Sequence, residues 1–342
     1  MMVEGAVRKA LSMGMAAAFA MMLALALTPS RAAAAACALS IPTCGCTIKS
    51  PGTYMLTGTS PMNSTGTCID ITASNVTLTA SSVVIKGSGS TSPTFGVRIE
   101  PTANRVLLEG IVAEDFAQGF RVDGRNASLI DVQTEGNNKG VVVNGANAYL
   151  IETISELDNL VGIQVNSTAT DFVMVIGGAL GATGAGVELN GVNGAFMEEA
   201  EAEGNGTFGI WLKSASNNFI AGFVSESNGI AGVYLGCNAA GPNGTPCPAG
   251  VPSSNGNSLM GSVFGTSTNS LVSNTGTPLN QRFGVAVGFG NLHNHFLLIT
   301  GKGNVDDDAL DENPTCGNNR WFADNFTTSS PAKSTTSLFC LN

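Results

Sequence analysis

The sequence predicts an all-β solenoid, and three observations predict it. A glycine followed by an alternating apolar pair recurs at Gly96, Gly119, Gly140, Gly162, Gly186, Gly209 and Gly232, at intervals of 21 to 24 residues. A period in that range marks stacked units, none of which can bury its own apolar face alone. In each repeat the residues one and three places after the glycine are apolar, from Val97 and Ile99 to Val233 and Leu235, which places both on one face of a short strand. Composition agrees, since 43 glycines and a charged fraction of 12% suit a turn-rich β protein.

Taken from the N-terminus, residues 1–36 read as a cleavable signal peptide. Arg8 and Lys9 form a basic start, Met13 to Leu27 is almost wholly apolar, and an Ala-rich stretch ends at Ala36. The apolar run is short for a membrane span, which needs ~20 residues, so the mature chain is expected to carry none. Cys37 directly follows three alanines, which loosely resembles a lipoprotein cleavage site, but Ala34 stands where such sites usually have a larger apolar residue. A secreted or periplasmic chain without a lipid anchor at Cys37 is therefore expected. Its organisation is read as an entry or cap segment over 37–66, a solenoid over 67–312, and a C-terminal coil with a disulfide-pinned tail over 313–342.

A second apolar strand follows about ten residues after each glycine, as at Val106, Ser128, Tyr149, Phe172, Ala195 and Phe219. Between the strands lies one polar corner with Asn104, Asn126, Asn147, Asn193 and Asn217, and another with Asn137, Asn159, Asn205 and Asn228. Asparagine tolerates left-handed backbone, and stacked copies can hydrogen-bond between coils. The interval from Gly232 to Gly284 is 52 residues, so one coil there carries an insertion, expected at about 236–256.

Eight cysteines in an oxidising compartment suggest disulfides, although spacing alone leaves connectivity open. The preferred pairs are Cys237 with Cys247, Cys316 with Cys340, and Cys46 or Cys44 with Cys68. A zinc site is disfavoured because Cys44 and Cys46 are too closely spaced and have no histidine nearby.

The stretch GIWLKSASNNFIAGFVSESNGIAGVYLG from Gly209 resembles one full repeat of the right-handed parallel β-helix family, as found in NosD-like proteins and carbohydrate-active β-helix enzymes. CTIKSPGTYMLTG from Cys46 with CIDITASNVTLTASSVVIKG from Cys68 is similar to its entry coils, and FGVAVG from Phe283 with DALDENPTCGNNRW from Asp308 to its last ones. The resemblance implies a single-stranded right-handed parallel β-helix with coils of ~22–23 residues over Cys46 to Asn342. A scaffold of this kind hosts many functions, so activity has to be argued from a site.

If the apolar pairs point inward, the residue two after each glycine faces solvent: Arg98, Arg121, Val142, Gln164, Glu188, Trp211 and Tyr234. The residue four after gives Glu100, Asp123, Asn144, Asn166, Asn190, Lys213 and Gly236. Coils stack ~4.8 Å apart, so six intervals span ~29 Å, enough for an extended chain ligand. Arg98, Arg121, Gln164, Glu188, Trp211, Lys213 and Tyr234 are accordingly the candidate ligand-binding residues, with the two aromatics read either as sugar platforms or as rings covered by the insertion. The arginines with Glu100 and Asp123 are expected to form a surface ion-pair ladder.

Glu114, Glu135, Glu156, Glu201 and Glu226 recur near one corner, and Asp306, Asp307, Asp308, Asp311 and Glu312 cluster near the end. Calcium is a possible bridge for such carboxylates, but solvated charge is the preferred reading and no cofactor is required. A net charge of −10 argues against a nucleic-acid partner. His293 and His295 are the only histidines and, two apart on a strand, would share a face. The acidic, GHD-like and RxK-like motifs of polygalacturonase-type hydrolases, the WxDH and RxPxxR patterns of pectate lyases and the DPHD-type epimerase motif are absent. The leading expectation is a monomer that binds polysaccharide or glycan on its outward ladder. A divergent lyase, hydrolase or uronate epimerase, and a structural, adhesive or NosD-like accessory solenoid, stay open.

Overall fold

The computed structural model describes residues 34–91, 94–237, 239, 241–243, 246–265, 280–313 and 318–330. They form the expected right-handed parallel β-helix, without an α-helix and with no helix long and apolar enough to cross a membrane. Once per coil the chain adds a short strand to a 13-stranded sheet that runs from Ala35–Ala36 through Phe95–Ile99 and Phe208–Lys213 to Ser329–Ser330. The remaining strands, one bent strand or two short ones per coil, stack in parallel on the other side, as Ser128–Ile130 and Gln133–Glu135 do on Val106–Glu114.

The inward pairs are buried throughout, with Val97, Phe120, Ile163, Val187 and Ile210 all at 0% exposure. They belong to one apolar core that continues from Ile41 to Trp321. The recurring glycine has a steric cause, for none of the seven has a left-handed backbone. A Cβ on Gly162, Gly186, Gly209 or Gly232 would lie 2.6–2.9 Å from the carbonyl oxygen of the next coil's glycine. The glycine and the residue after it both face inward, so strict alternation breaks there and the residue before the glycine turns to the outer face, where Phe95, Gln118 and Lys139 are part-exposed and Val161, Ala185, Phe208 and Ala231 are covered.

Left-handed residues build the corners, as Asn126, Asp131 and Gly136 do in one coil and Asn147, Glu152 and Leu157 in the next. The asparagines stack as expected, Asn147 donating to Asn126 at 3.0 Å, Asn126 to Asn104 at 2.7 Å and Asn217 to Asn193 at 3.0 Å. The other asparagine row lies inside the coil. Asn205 donates its amide to Asn228 at 2.9 Å, and Asn228 donates to Gln281 at 3.1 Å. Asn159 is exposed and lies outside this row; its neighbour Asp158 occupies the register position, because the left-handed residue Leu157 turns Asp158 inward.

Segment 37–66 is itself coiled, since Cys46–Ile48 pairs with both Ala35–Ala36 and Ile69–Ile71. Disulfides join Cys37 to Cys46, Cys44 to Cys68 and Cys237 to Cys247. Of the two alternatives for Cys68, it is Cys44 that reaches it. With Cys37 bonded to Cys46, its sulfur is not available for a lipid thioether. Cys316 and Cys340 lie outside the described residues. The long interval after Gly232 is one coil, since Ala231–Leu235 pairs directly with Phe283–Val287. Its extra residues are divided between 236–257 and the stretch following Val263–Gly265.

Candidate functional site

The outer surface of the 13-stranded sheet carries three straight rows. The central one runs Asp70, Arg98, Arg121, Val142, Gln164, Glu188, Trp211, Tyr234, each in register with the next. The ladder expected from the glycine spacing is therefore one continuous column. Glu100, Asp123, Asn144, Asn166, Asn190 and Lys213 flank it on one side. Phe95, Gln118 and Lys139, the residues preceding the glycines, flank it on the other.

The column divides into a covered half and an open half. Trp211 and Tyr234 are 8% and 2% exposed, so they are not open platforms for a ligand. Phe208 stacks on Tyr234 with ring centroids 4.8 Å apart and packs on Trp211 at 5.3 Å. The inserted segment closes over them: the Trp211 indole N–H donates to the Gly236 carbonyl at 2.7 Å, and Gly241 abuts Ile230 and Phe208. Ala185, Ala231, Phe283 and Ala286 complete the buried part of this second apolar cluster, which lies outside the coil core. Burial of large rings by an insertion replaces the solvent exposure that their position alone would impose.

Asp70 to Glu188 forms the open half, five intervals or about 24 Å long, in which Asp70, Arg98, Arg121 and Gln164 are part-exposed while Val142 and Glu188 are 4% and 6% exposed. Its charges are paired both within and between coils. Arg98 contacts Glu100 at 2.8 Å and Asp123 at 3.7 Å, while Arg121 contacts Asp123 at 2.7 Å. Both guanidiniums lie over the Phe95 ring, 5.4 and 5.7 Å from its centre. Farther along, Lys139 donates to Gln164 at 2.8 Å, Gln164 to Glu188 at 3.4 Å, and Lys213 sits 3.8 Å from Glu188 and 4.9 Å above the Trp211 ring. Beside them Asn144 donates to Asp123 at 2.6 Å, Asn166 to Asn144 at 2.7 Å and Asn190 to Asn166 at 3.3 Å.

At the N-terminal end of this half, the buried atoms Asp70 Oδ1, Arg98 Nε and Gln118 Oε1 have no hydrogen-bond partner among the described residues, Arg98 Nε facing Asp123 at the longer ion-pair distance of 3.7 Å. Asp70 and Glu100 lie within hydrogen-bonding reach of each other. Burial pushes both carboxyls above their ordinary range; the Arg98 charge opposes this in each case, and their mutual contact raises Glu100 further.

Sequence reasoning missed Asp70, Phe95, Gln118 and Lys139. Asp70 precedes the first repeat glycine, and its only signal is the alternation of CIDI from Cys68. The other three were hidden because strict alternation assigns the residue before the glycine to the interior.

The remaining candidates are dispersed. The register row is Glu114, Glu135, Glu156, Leu180, Glu203 and Glu226, so Glu203 stands where Glu201 was expected. Glu201 instead helps to line an outer cleft of about 440 Å³ with Asp131, Glu152, Ile154, Ile176 and Glu199. His293 is a left-handed corner residue and His295 begins a strand, so they do not share a strand face. The C-terminal acids are not a solvated run: Asp308 and Asp311 are 1% and 3% exposed. Asp308 accepts from Asn304, Thr327 and Thr328, and Asp311 from Asn313 and Asn319. Burial works to raise Asp308, but these hydrogen bonds hold it below the usual carboxylate range. Asp306 pairs with Arg282 at 2.7 Å. Among the described residues no three His, Cys, Asp or Glu side chains converge as a metal site.

No protein-family model and no curated protein sequence matches the chain. Solved structures do. The enzymatically active domain of tailspike protein 2 of bacteriophage CBA120 superposes with a TM-score of 0.54 at 14% identity, over 84% of this chain and 46% of that one. The periplasmic alginate epimerase AlgG gives 0.53 at 13%, over 73% and 60%, and pectate lyase Pel9A gives 0.51 at 14%, over 87% and 73%. The chain thus spans less than two thirds of the tailspike and epimerase chains. These likenesses define the class, a right-handed parallel β-helix.

Proposed function

We propose that the chain binds a polysaccharide or glycan along the open half of the sheet face, from Asp70 to Glu188. The observation that carries this reading is the pair of acceptors Asp70 Oδ1 and Gln118 Oε1, buried on an outward face with no hydrogen-bond partner among the described residues. Leaving such an atom unpaired costs roughly 1–3 kcal/mol, a cost that ligand hydroxyls lying along the row would offset. A straight, rigid row also suits an extended chain, because little ordering of the protein is needed on binding. Structural neighbours named for action on alginate and pectate support the reading by analogy of fold.

A second reading, that the face carries a reaction, is favoured by the Asp70 and Glu100 pair, whose raised carboxyls can hold and release a proton. Their mutual hydrogen-bonding reach, however, is shorter than the ~5–9.5 Å by which hydrolytic carboxylates flank a glycosidic bond. Binding therefore leads. Affinity electrophoresis against a polysaccharide panel tests it, with reducing ends and ultraviolet absorbance read in parallel. Retardation that is lost in Asp70→Asn/Gln118→Ala, without product, is expected. Retardation unchanged in that variant would remove this face from consideration.

A further inference from the structure

Resting on the glycan reading, we infer that the open face selects an uncharged, hydroxyl-rich glycan and discriminates against polyuronates. Its four cations, Arg98, Arg121, Lys139 and Lys213, are matched by four carboxylates, Asp70, Glu100, Asp123 and Glu188. Three of the cations are already engaged, Arg98 with Glu100 at 2.8 Å, Arg121 with Asp123 at 2.7 Å and Lys213 with Glu188 at 3.8 Å. Lys139, the fourth, donates to the neutral Gln164. At the two guanidiniums and at Lys213 a uronate carboxylate would have to displace an internal carboxylate or lie against it, and either course costs interaction energy; Lys139 alone of the four has a neutral partner.

The unsatisfied atoms point the same way. Two of the three, Asp70 Oδ1 and Gln118 Oε1, are acceptors. They call for hydroxyl donors, and a neutral hexose keeps a hydroxymethyl donor where a uronate carries an acceptor-only carboxylate. The asparagine row from Asn144 to Asn190 adds amide groups that can both donate and accept at hydroxyl spacing. A chain of net charge −10 adds a repulsive background for any polyanion.

Asp123 is the key to this selectivity, because it faces both guanidiniums. Asparagine already occupies the same row in the next three coils, so Asp123→Asn fits the geometry and keeps an acceptor for Asn144. It removes one negative charge and frees Arg121.

The experiment titrates wild type and Asp123→Asn with neutral gluco-, manno- and xylo-oligosaccharides and with oligogalacturonate and oligoalginate, at low and high salt, with thermal melting as the folding control. Wild type is expected to bind at least one neutral ligand with little salt dependence and to leave the uronates unbound. The variant is expected to gain uronate affinity by roughly tenfold or more at low salt, lost at high salt. If Asp123→Asn unfolds, Arg121→Gln replaces it and is expected to leave uronates unbound. Wild-type preference for uronates would overturn the selectivity while leaving the glycan reading intact. Absence of binding to every oligosaccharide would overturn the glycan reading itself.

Discussion

The Asp158 carboxylate accepts both the backbone N–H of Asn137, at 2.8 Å, and its side-chain amide, at 3.1 Å, inside the coil. Thr134 and Ser155 donate to its other oxygen. It occupies a row that is otherwise filled by neutral residues such as Asn205 and Asn228. Burial pushes its pKa up to about 6, and the four hydrogen bonds only partly offset this.

This gives stability a pH dependence of defined sign. Below the ordinary carboxylate pKa of 3.8, folded and unfolded chains both hold the proton and no penalty arises. From there to about 6 the folded state binds the proton more tightly, so stability falls as pH rises, by about 2–3 kcal/mol in all. Asp158→Asn, whose amide can donate to Thr134 and Ser155, should remove this loss. Thermal melts of the two proteins should diverge most at pH 7–8, with the variant higher, and converge near pH 4. A difference independent of pH would refute the assignment.

Gly162→Ala should destabilise by several kcal/mol, because the new methyl would stand 2.6 Å from Ala179 Cβ and 2.8 Å from both the Gly186 carbonyl oxygen and Ser155 Oγ. Overpacking typically costs ~1–3 kcal/mol, and here part of the obstacle is backbone that cannot rotate aside. Gly261→Asn is the contrast. The site is left-handed with open space around it, which asparagine tolerates, and a change within about 0.5 kcal/mol is expected in urea unfolding.

Trp211→Ala should act on folding rather than on ligand affinity. It removes a buried ring and orphans the Gly236 carbonyl, a loss of ~3–5 kcal/mol for a large-to-small change of this kind. Midpoints of denaturant unfolding should drop, while glycan affinity at a temperature where the variant is folded should stay within about twofold. A selective loss of affinity would show that the ring reaches the ligand.

Cys44→Ser/Cys68→Ser should lower stability by about 2–4 kcal/mol, since the bridge spans 24 residues in the first described coils. Differential scanning calorimetry should show a lowered transition, and reductant should have the same effect on wild type.

The sequence by itself determined the period, the inward pair and the central outward row, because each depends only on local alternation repeated at a constant interval. Val97 and Leu235 were legible as core, and Arg98 and Glu188 as neighbours on one face, for that reason. Tertiary structure decided what the period does not encode. Asp158 replaces Asn159 in the inner row because Leu157 adopts a left-handed backbone that nothing in its chemistry announces. Gln118 and Lys139 join the face because stacking glycines break the alternation beside them. Trp211 and Tyr234 leave the ligand surface because an insertion that does not follow the repeat pattern folds over their rings. The local pattern places a side chain on a face; only the packing of non-repeating segments decides whether that face meets water.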